Sequence, residues 1–174
     1  MTPQEKIEIV PLLEDSRDEF LAATRGIMED QARAKSDPAR WSILECVEHV
    51  TTVEERFLKR LETAPRLNAP RVDKQKEADL ARRVPDRTVR AQAPEPALPT
   101  GRFATLAEAL EQFGIDRAQT IRFAKDRAAE LYWLSLEHQR FGPVNGSEFL
   151  VIMAGHARRH AAQIREAAVA LGQS

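Results

Sequence analysis

Residues 41–50 read WSILECVEHV, and this stretch contains both the start of a helix and its buried face. Ser42 and Glu45 have the spacing of a capping box, in which each side chain satisfies a backbone N–H that the first helical turn leaves free. From Ile43 onward, apolar residues recur every three or four positions, which is the period of a helix with one buried side. The pattern predicts a helix over about residues 43–63.

The same period continues on both sides of this stretch. It predicts three more long helices, at about residues 4–29, 105–126 and 147–171. Thr105 and Glu108 repeat the capping-box spacing at the start of one of them. Strict alternation of apolar and polar residues, the pattern of a half-buried strand, is hard to find in the chain. We therefore expect an all-α protein, with a four-helix bundle as its simplest architecture.

A proline-rich and basic segment, residues 64–104, separates the second predicted helix from the third; we call it the strap. Six of the 10 prolines lie in it, so one continuous helix is excluded, although residues 73–83 can form a short one. The basic residues of the strap can form a patch that binds anions. Alternatively, the strap is a solvated connection in which acidic residues balance part of the charge. So long a connection is unusual in a compact domain, and we expect it to join helices that are not hairpin neighbours.

Composition excludes several classes of protein. The chain has 174 residues, with 26 basic and 27 acidic side chains, which fits one domain over residues 1–174 and gives no reason to expect nucleic acid. A single cysteine excludes an internal disulfide framework and suits a reducing compartment. No apolar run reaches about 18 residues, and the first residues lack the order of a signal peptide, so we expect a cytoplasmic protein outside the membrane.

Three of the 4 histidines fall where two helices can bring them together. His156 and His160 lie in the middle of the inward face of the last helix, and their four-residue spacing points both rings the same way. His49, at the margin of the apolar stripe of the second helix, is the candidate for a third metal ligand. Three imidazoles would leave coordination positions open, as in a reactive rather than a structural site. The alternative is a set of buried neutral histidines that bond to their neighbours.

Four residues near this set are candidates for supporting roles. Gln163 can orient a ligand ring or simply pack, and Cys46 can be a ligand, a nucleophile or a small buried apolar residue. Glu45 is interpreted as a helix cap rather than a base, because Ser42 stands at the required position. Arg117 interrupts an apolar stripe, so it needs a carbonyl or an anionic partner, either a buried carboxylate such as Glu45 or a substrate carboxylate.

Other polar and aromatic residues are interpreted as structural. His138 lies in the aromatic-rich connection before the last helix, which we expect to be packed and partly irregular, and there it can bond loop backbone. Tyr132 and Trp133 can cover a pocket, but aromatic residues in a connection more often close the core. Arg158 and Arg159 fall off the inward face of the last helix and are interpreted as solvated.

Three separated motifs resemble those of the DinB/YfiT family of bacterial metal-binding four-helix bundles. They are residues 41–50, the segment from His138 to Gly142, and residues 155–164, which read GHARRHAAQI. The motifs come in the order of the family and span essentially the whole chain. The resemblance implies an up-down-down-up bundle that holds a divalent cation, variously nickel, zinc, iron or manganese, on the residues matching His49, His156 and His160.

The resemblance is less specific about activity. Members of the family include thiol-dependent transferases and an isomerase that use low-molecular-weight thiols, as well as proteins described as metal-dependent hydrolases. It therefore implies a metal-dependent enzyme of transferase or hydrolase type with a small-molecule substrate, and it favours a homodimer. No dedicated general base stands out in the sequence, so the rival hypothesis is a non-catalytic module that binds a metal, a small ligand or another protein.

Overall fold

Helices dominate residues 7–172, which are the residues that the computed structural model describes. In chain order the α-helices are α1 (Ile9–Ala23), α2 (Glu29–Arg33), α3 (Ile43–Glu62), α4 (Lys74–Arg83), α5 (Leu106–Asp126) and α6 (Gly146–Ala170). A small antiparallel hairpin, β1 (Leu136–His138) and β2 (Gly142–Val144), follows a 3-10 helix at Ala128–Trp133. Apart from this hairpin, the prediction of an all-α fold is confirmed. Within residues 7–172, none of the helices has the length and apolar character needed to cross a membrane.

The helix starts follow the predicted caps. Glu45 Oε2 accepts from the Ser42 N–H at 2.7 Å, and Ser42 Oγ accepts from the Glu45 N–H at 3.1 Å, which completes the predicted capping box of α3. At α5, the Thr105 hydroxyl accepts from the Glu108 N–H at 3.1 Å as expected. The Glu108 carboxylate, however, accepts from the N–H of Ala104, so this box closes one residue earlier than the sequence predicts.

The first predicted helix is divided in two. α1 ends at Ala23, and a turn that contains Gly26 separates it from α2. Gly26 has a φ of +77°, a backbone conformation that ends a helix and that a residue without a side chain adopts most easily. The continuous helix predicted over residues 4–29 is therefore wrong between Ala23 and Glu29, and its first three residues lie outside the described range.

The four long helices form a bundle whose apolar core has two halves. Taken from α1, α3, α5 and α6 in turn, one half contains Leu13, Leu61, Ile121 and Met153, and the other contains Phe20, Val47, Phe113 and Ile164. In α1 and α6 the chain runs from the first half to the second. In α3 and α5 it runs from the second half to the first. The helices therefore run up, down, down and up, as the resemblance implies.

This topology explains the length of the strap. Because α3 and α5 run in the same direction, the chain that leaves α3 must return along the bundle before α5 can begin. The 20 residues of α3 correspond to about 30 Å of helix. On the way back, the strap forms the predicted short helix, α4, which packs against α6. Gly155 of α6 allows a close approach here, since a Cβ at that position would lie 2.7 Å from Val84 Cβ.

Candidate metal centre

Three histidines from two helices converge in the second half of the bundle. His49 of α3 and His156 and His160 of α6 each present a ring nitrogen, and these three nitrogens lie within 4.8 Å of one another. Nε2 of His49 and Nε2 of His156 are 3.0 Å apart. The tertiary structure thus brings together the three histidines that the spacing singled out.

The donor set fits a divalent transition-metal ion. Two imidazole nitrogens that bind one cation at about 2.0–2.1 Å and at a right angle are about 2.9 Å apart. The 3.0 Å contact between His49 and His156 is a hydrogen bond between the two rings, and its length is also close to this ligand spacing. Nδ1 of His160 is buried without a hydrogen-bond partner among residues 7–172, so the cluster contains an imidazole nitrogen that its protein neighbours leave unsatisfied.

The three imidazoles are held in the neutral form. Burial lowers the pKa of His49, and it lowers those of His156 and His160 well below their usual value, with further lowering by the neighbouring histidines. Neutral imidazoles have the free lone pairs that metal binding requires. His49 Nδ1 donates to the carbonyl of Ala97 at 2.7 Å, and because a carbonyl can only accept, the free lone pair of His49 is on Nε2.

One side of the cluster is more open than the other. His49 and His160 are only 4% and 7% exposed, whereas His156 has intermediate exposure. The ring of Trp41 lies 4.9 Å from that of His49 and stacks at 6.3 Å on that of His160. His156 is therefore the most exposed of the three histidines. Sequence reasoning did not assign Trp41 to the site, although its place directly before the cap of α3 was an available signal.

The strap completes the surroundings of His49. Its Ala97 carbonyl holds the His49 ring, and three residues further along the strap a buried carboxylate of α3 binds the chain. Glu48 accepts from the N–H groups of Thr100 at 2.6 Å and Gly101 at 3.2 Å. Backbone groups make these contacts from the strap side, so no residue type in the sequence indicated them.

The candidate supporting residues on α3 have structural roles. Glu45 caps its helix and also pairs with Lys35 at 3.1 Å, in agreement with its interpretation as a cap. Cys46 is fully buried in the apolar core, and burial raises the pKa of its thiol to about 12. Such a thiol is a poor nucleophile, because the thiolate is the reactive form. The group of converging ligand atoms contains the three histidines without Cys46.

Gln163 is connected to both the centre and the strap. It lies one turn past His160. Burial, the larger effect, lowers the pKa of His160, whereas hydrogen bonding by the Gln163 side chain raises it. Its Oε1 accepts from the guanidinium of Arg87 at 3.3 Å. The arrangement agrees with Gln163 as a residue that orients a ligand ring, which stays a prediction.

Arg117 is fully buried in the polar layer between the two halves of the core. Its guanidinium donates two bonds to the Glu54 carboxylate, at 2.7 and 2.9 Å, and a third to Ser16 Oγ at 2.8 Å. The expected buried carboxylate partner is therefore present, but it is Glu54 rather than Glu45. This pairing occupies the guanidinium and favours the structural role over contact with a substrate.

Arg158 and Arg159 behave differently from each other. Arg158 has intermediate exposure and pairs with Glu19 of α1 at 2.9 Å. Arg159 is only 8% exposed, and its guanidinium donates to the carbonyls of Asp86 and Val89 in the strap. The interpretation of Arg159 as a solvated residue is wrong, because the strap folds over this flank of α6.

The side chains before α6 mainly contact the backbone of their own turn and the strap. Nδ1 of His138 accepts from two backbone N–H groups of its own turn at 3.1 and 3.3 Å, which confirms its structural role. The rings of Tyr132 and Trp133 lie against two cations of the strap, Lys74 and Arg66. This pair therefore closes the junction between the strap and the connection before α6.

Fold and site together define a class of protein: an up-down-down-up four-helix bundle with a candidate three-histidine metal centre between α3 and α6. A sequence profile of the DinB superfamily matches residues 12–164. The chain belongs to the DinB superfamily.

Among solved structures, the chain is similar to YfiT from Bacillus subtilis, with a TM-score of 0.61 and 15% identity. The similarity covers 100% of this chain and 91% of that one. YfiT is described as a probable metal-dependent hydrolase with an unusual four-helix bundle topology. At this level of identity the similarity shows the fold. A comparison with curated proteins finds no match.

Proposed function

We propose that the protein is a metal-dependent enzyme of thiol-transferase or hydrolase type, in which His49, His156 and His160 hold one divalent ion. The convergence of three neutral imidazoles is the observation that supports this most directly. Three protein ligands leave coordination positions for other molecules, and a bound ion would act as a Lewis acid and lower the pKa of a bound water or thiol. The description of YfiT as a probable metal-dependent hydrolase supports the same class.

The chain itself supplies orientation and shielding. The Ala97 carbonyl selects the tautomer of His49, and Trp41 covers the side of the cluster formed by His49 and His160. The partial exposure of His156 provides the approach for a substrate. Because imidazole suits zinc, iron and nickel better than manganese, we expect one of the first three ions.

A second candidate function, a non-catalytic module that binds a metal or small ligand, is favoured by one observation. The residues that the sequence offered as base or nucleophile, Glu45 and Cys46, are both engaged elsewhere. Binding requires neither group. Activity, in contrast, would depend on proton transfer through the bound ligands or the substrate.

The metal assignment is tested with full-length protein purified without a histidine tag. We expect close to one divalent ion per chain by elemental analysis, and loss of most of it in His156→Ala. His138→Gln is the matched control, because it removes the histidine outside the cluster and should keep the metal. Equal metal content in the parent and in folded His156→Ala would overturn the assignment.

Activity is tested with metal-loaded parent protein and with His156→Ala. One panel contains an electrophilic acceptor with individual low-molecular-weight thiols, and a second contains esters and amides without thiol. Turnover that is present in the parent and absent in the variant supports the enzyme, and the active panel identifies the reaction type. Metal binding without turnover in either panel would favour the binding module.

A further inference from the structure

A buried cation lies on the flank of the candidate centre. Arg159 follows His156 by three residues and precedes Gln163 by four, and residues at these spacings are neighbours on a helix surface. Only 8% of Arg159 is exposed. Arg159 is therefore a neighbour of His156 on the surface of α6, and its guanidinium extends to the strap.

Among the described residues, no carboxylate forms a salt bridge with Arg159, although Asp86 and Glu166 lie near enough for their charges to act on it. The guanidinium donates to two backbone carbonyls of the strap, those of Asp86 and Val89. The other buried arginine, Arg117, is matched by the two carboxylate oxygens of Glu54. Burial of a charge without an opposite charge in contact is costly, so binding of an anion would stabilise the buried guanidinium.

The surroundings add to the positive charge. Arg87 donates to Gln163 on the same flank, but the Arg87 guanidinium is already paired with Glu166 at 2.8 Å. Burial lowers the pKa of Arg159 and the charges of Arg87 and Arg140 lower it further, whereas the charges of Asp86 and Glu166 oppose this shift. The three neutral histidines would leave the charge of a divalent ion uncompensated as well.

We propose that Arg159 recognises an oxyanion, a carboxylate or a phosphate, on the substrate of the metal centre. Two of the five N–H donors of the guanidinium bond to the strap carbonyls, and the remaining donors can bond to either group. The proposal rests on the proposed function, because it assumes that a ligand reaches the ion past His156. It narrows the substrate class to small molecules that carry an anionic group close to the reacting atom.

The test uses the full-length protein loaded with cobalt, whose visible absorption reports ligand binding at the ion. Acetate, inorganic phosphate and imidazole are titrated into the parent, Arg159→Gln and Arg158→Gln. We expect Arg159→Gln to bind at least one of the two anions about tenfold more weakly or worse, with unchanged affinity for neutral imidazole. Arg158→Gln is the matched control, since it removes the neighbouring arginine that pairs with Glu19, and it should behave as the parent.

The outcomes separate the two proposals. Unchanged anion affinity in Arg159→Gln would overturn the role of Arg159 while leaving the metal centre intact. An equal loss of imidazole and anion affinity would also overturn it, because it would show that Arg159 only supports the strap. Failure of the parent to bind cobalt would overturn the proposed function itself. The anion that loses more affinity identifies whether carboxylate or phosphate is preferred.

A second measurement does not depend on the variant. In the zinc-loaded parent, the Nε–H resonance of Arg159 should shift and saturate as the preferred anion is added, while that of Arg158 stays in place. A resonance of Arg159 that does not respond would overturn the proposal even if Arg159→Gln fails to fold.

Discussion

At the scale of single residues, the ion pair of Arg117 and Glu54 connects the two halves of the core. Both side chains are buried, and the pair is supported by Ser16 and Thr120, whose hydroxyls bond to it at 2.8 Å. A buried pair of this kind contributes little net stability compared with an apolar replacement. Loss of one partner, however, leaves the other charge buried and unmatched.

Arg117→Met should therefore lower the free energy of unfolding by about 3–5 kcal/mol. The double variant Arg117→Met/Glu54→Met should recover most of this loss, because both charges are then removed. Urea unfolding followed by circular dichroism measures both effects. Arg158→Met, which removes a more exposed ion pair, should cost no more than about 1 kcal/mol. A double variant as unstable as the single one would contradict the explanation.

His138 gives a residue-scale prediction for pH. Burial lowers its pKa to about 4 from the ordinary 6.5, with additional lowering by Arg60 and Arg140. Between these two pH values the unfolded chain binds a proton that the folded protein does not. The contribution of His138 to stability is therefore fully present above pH about 6.5 and is lost as the pH falls toward 4.

The prediction is tested by comparing the parent with His138→Gln in the presence of a metal chelator. The free energy of unfolding should fall more steeply in the parent than in the variant between pH 6.5 and pH 4. The other three histidines are common to both proteins, so the difference reports His138. Parallel curves would show that His138 does not titrate as described.

At the scale of elements, the strap forms part of the surroundings of the candidate metal centre. The carboxylate of Glu48 anchors Thr100 and Gly101, and the nearby Ala97 carbonyl orients His49. Groups that orient metal ligands typically contribute about 10- to 100-fold to metal affinity. We therefore expect Glu48→Ala to weaken metal binding in this range, measured by competition with a chelating dye.

Glu55→Ala is the matched control for this prediction. Glu55 lies on the same helix and pairs with Arg102 of the same strap, but farther along the chain from Ala97. Its loss should leave metal affinity within about threefold of the parent, since the His49 ring keeps its carbonyl partner. Equal losses in both variants would indicate that any loosening of the strap weakens the site.

At the scale of the whole molecule, the up-down-down-up order has one main consequence. Because α3 and α5 run in parallel, a long segment must cross the bundle, and here it crosses the flank where α3 and α6 present their histidines. The candidate metal centre consequently lies between two helices and is covered by the strap. An up-down-up-down bundle with short loops would leave the same histidines without this cover.

A homodimer remains a whole-molecule prediction. Large apolar side chains are exposed at separate places: Met28, Val72, Val89, Leu98, Ile115 and Val169. Light scattering of the purified protein should give twice the chain mass of 19.6 kDa. A mass equal to that of a single chain would contradict the prediction. The cytoplasmic location likewise stays a prediction.

Features that depend on neighbours along the chain could be predicted from the sequence. Capping residues such as Ser42 and the spacing of apolar residues fix helices locally, because their hydrogen bonds and buried faces repeat every few positions. The same local geometry placed His156 and His160 on one face of α6, and the burial pattern of α3 selected His49. The short hairpin was missed because three-residue strands carry too little alternation to recognise.

Contacts between groups from distant segments, in contrast, could not be predicted before the fold was known. The pairing of Arg117 with Glu54, the cover that Trp41 gives and the carbonyl that holds His49 join positions far apart in sequence or use backbone groups common to every residue. The burial of Arg159 likewise required the strap to fold onto α6. Local sequence patterns do not predict such contacts. The contacts stabilise the protein only when the bundle has formed and the strap lies across it.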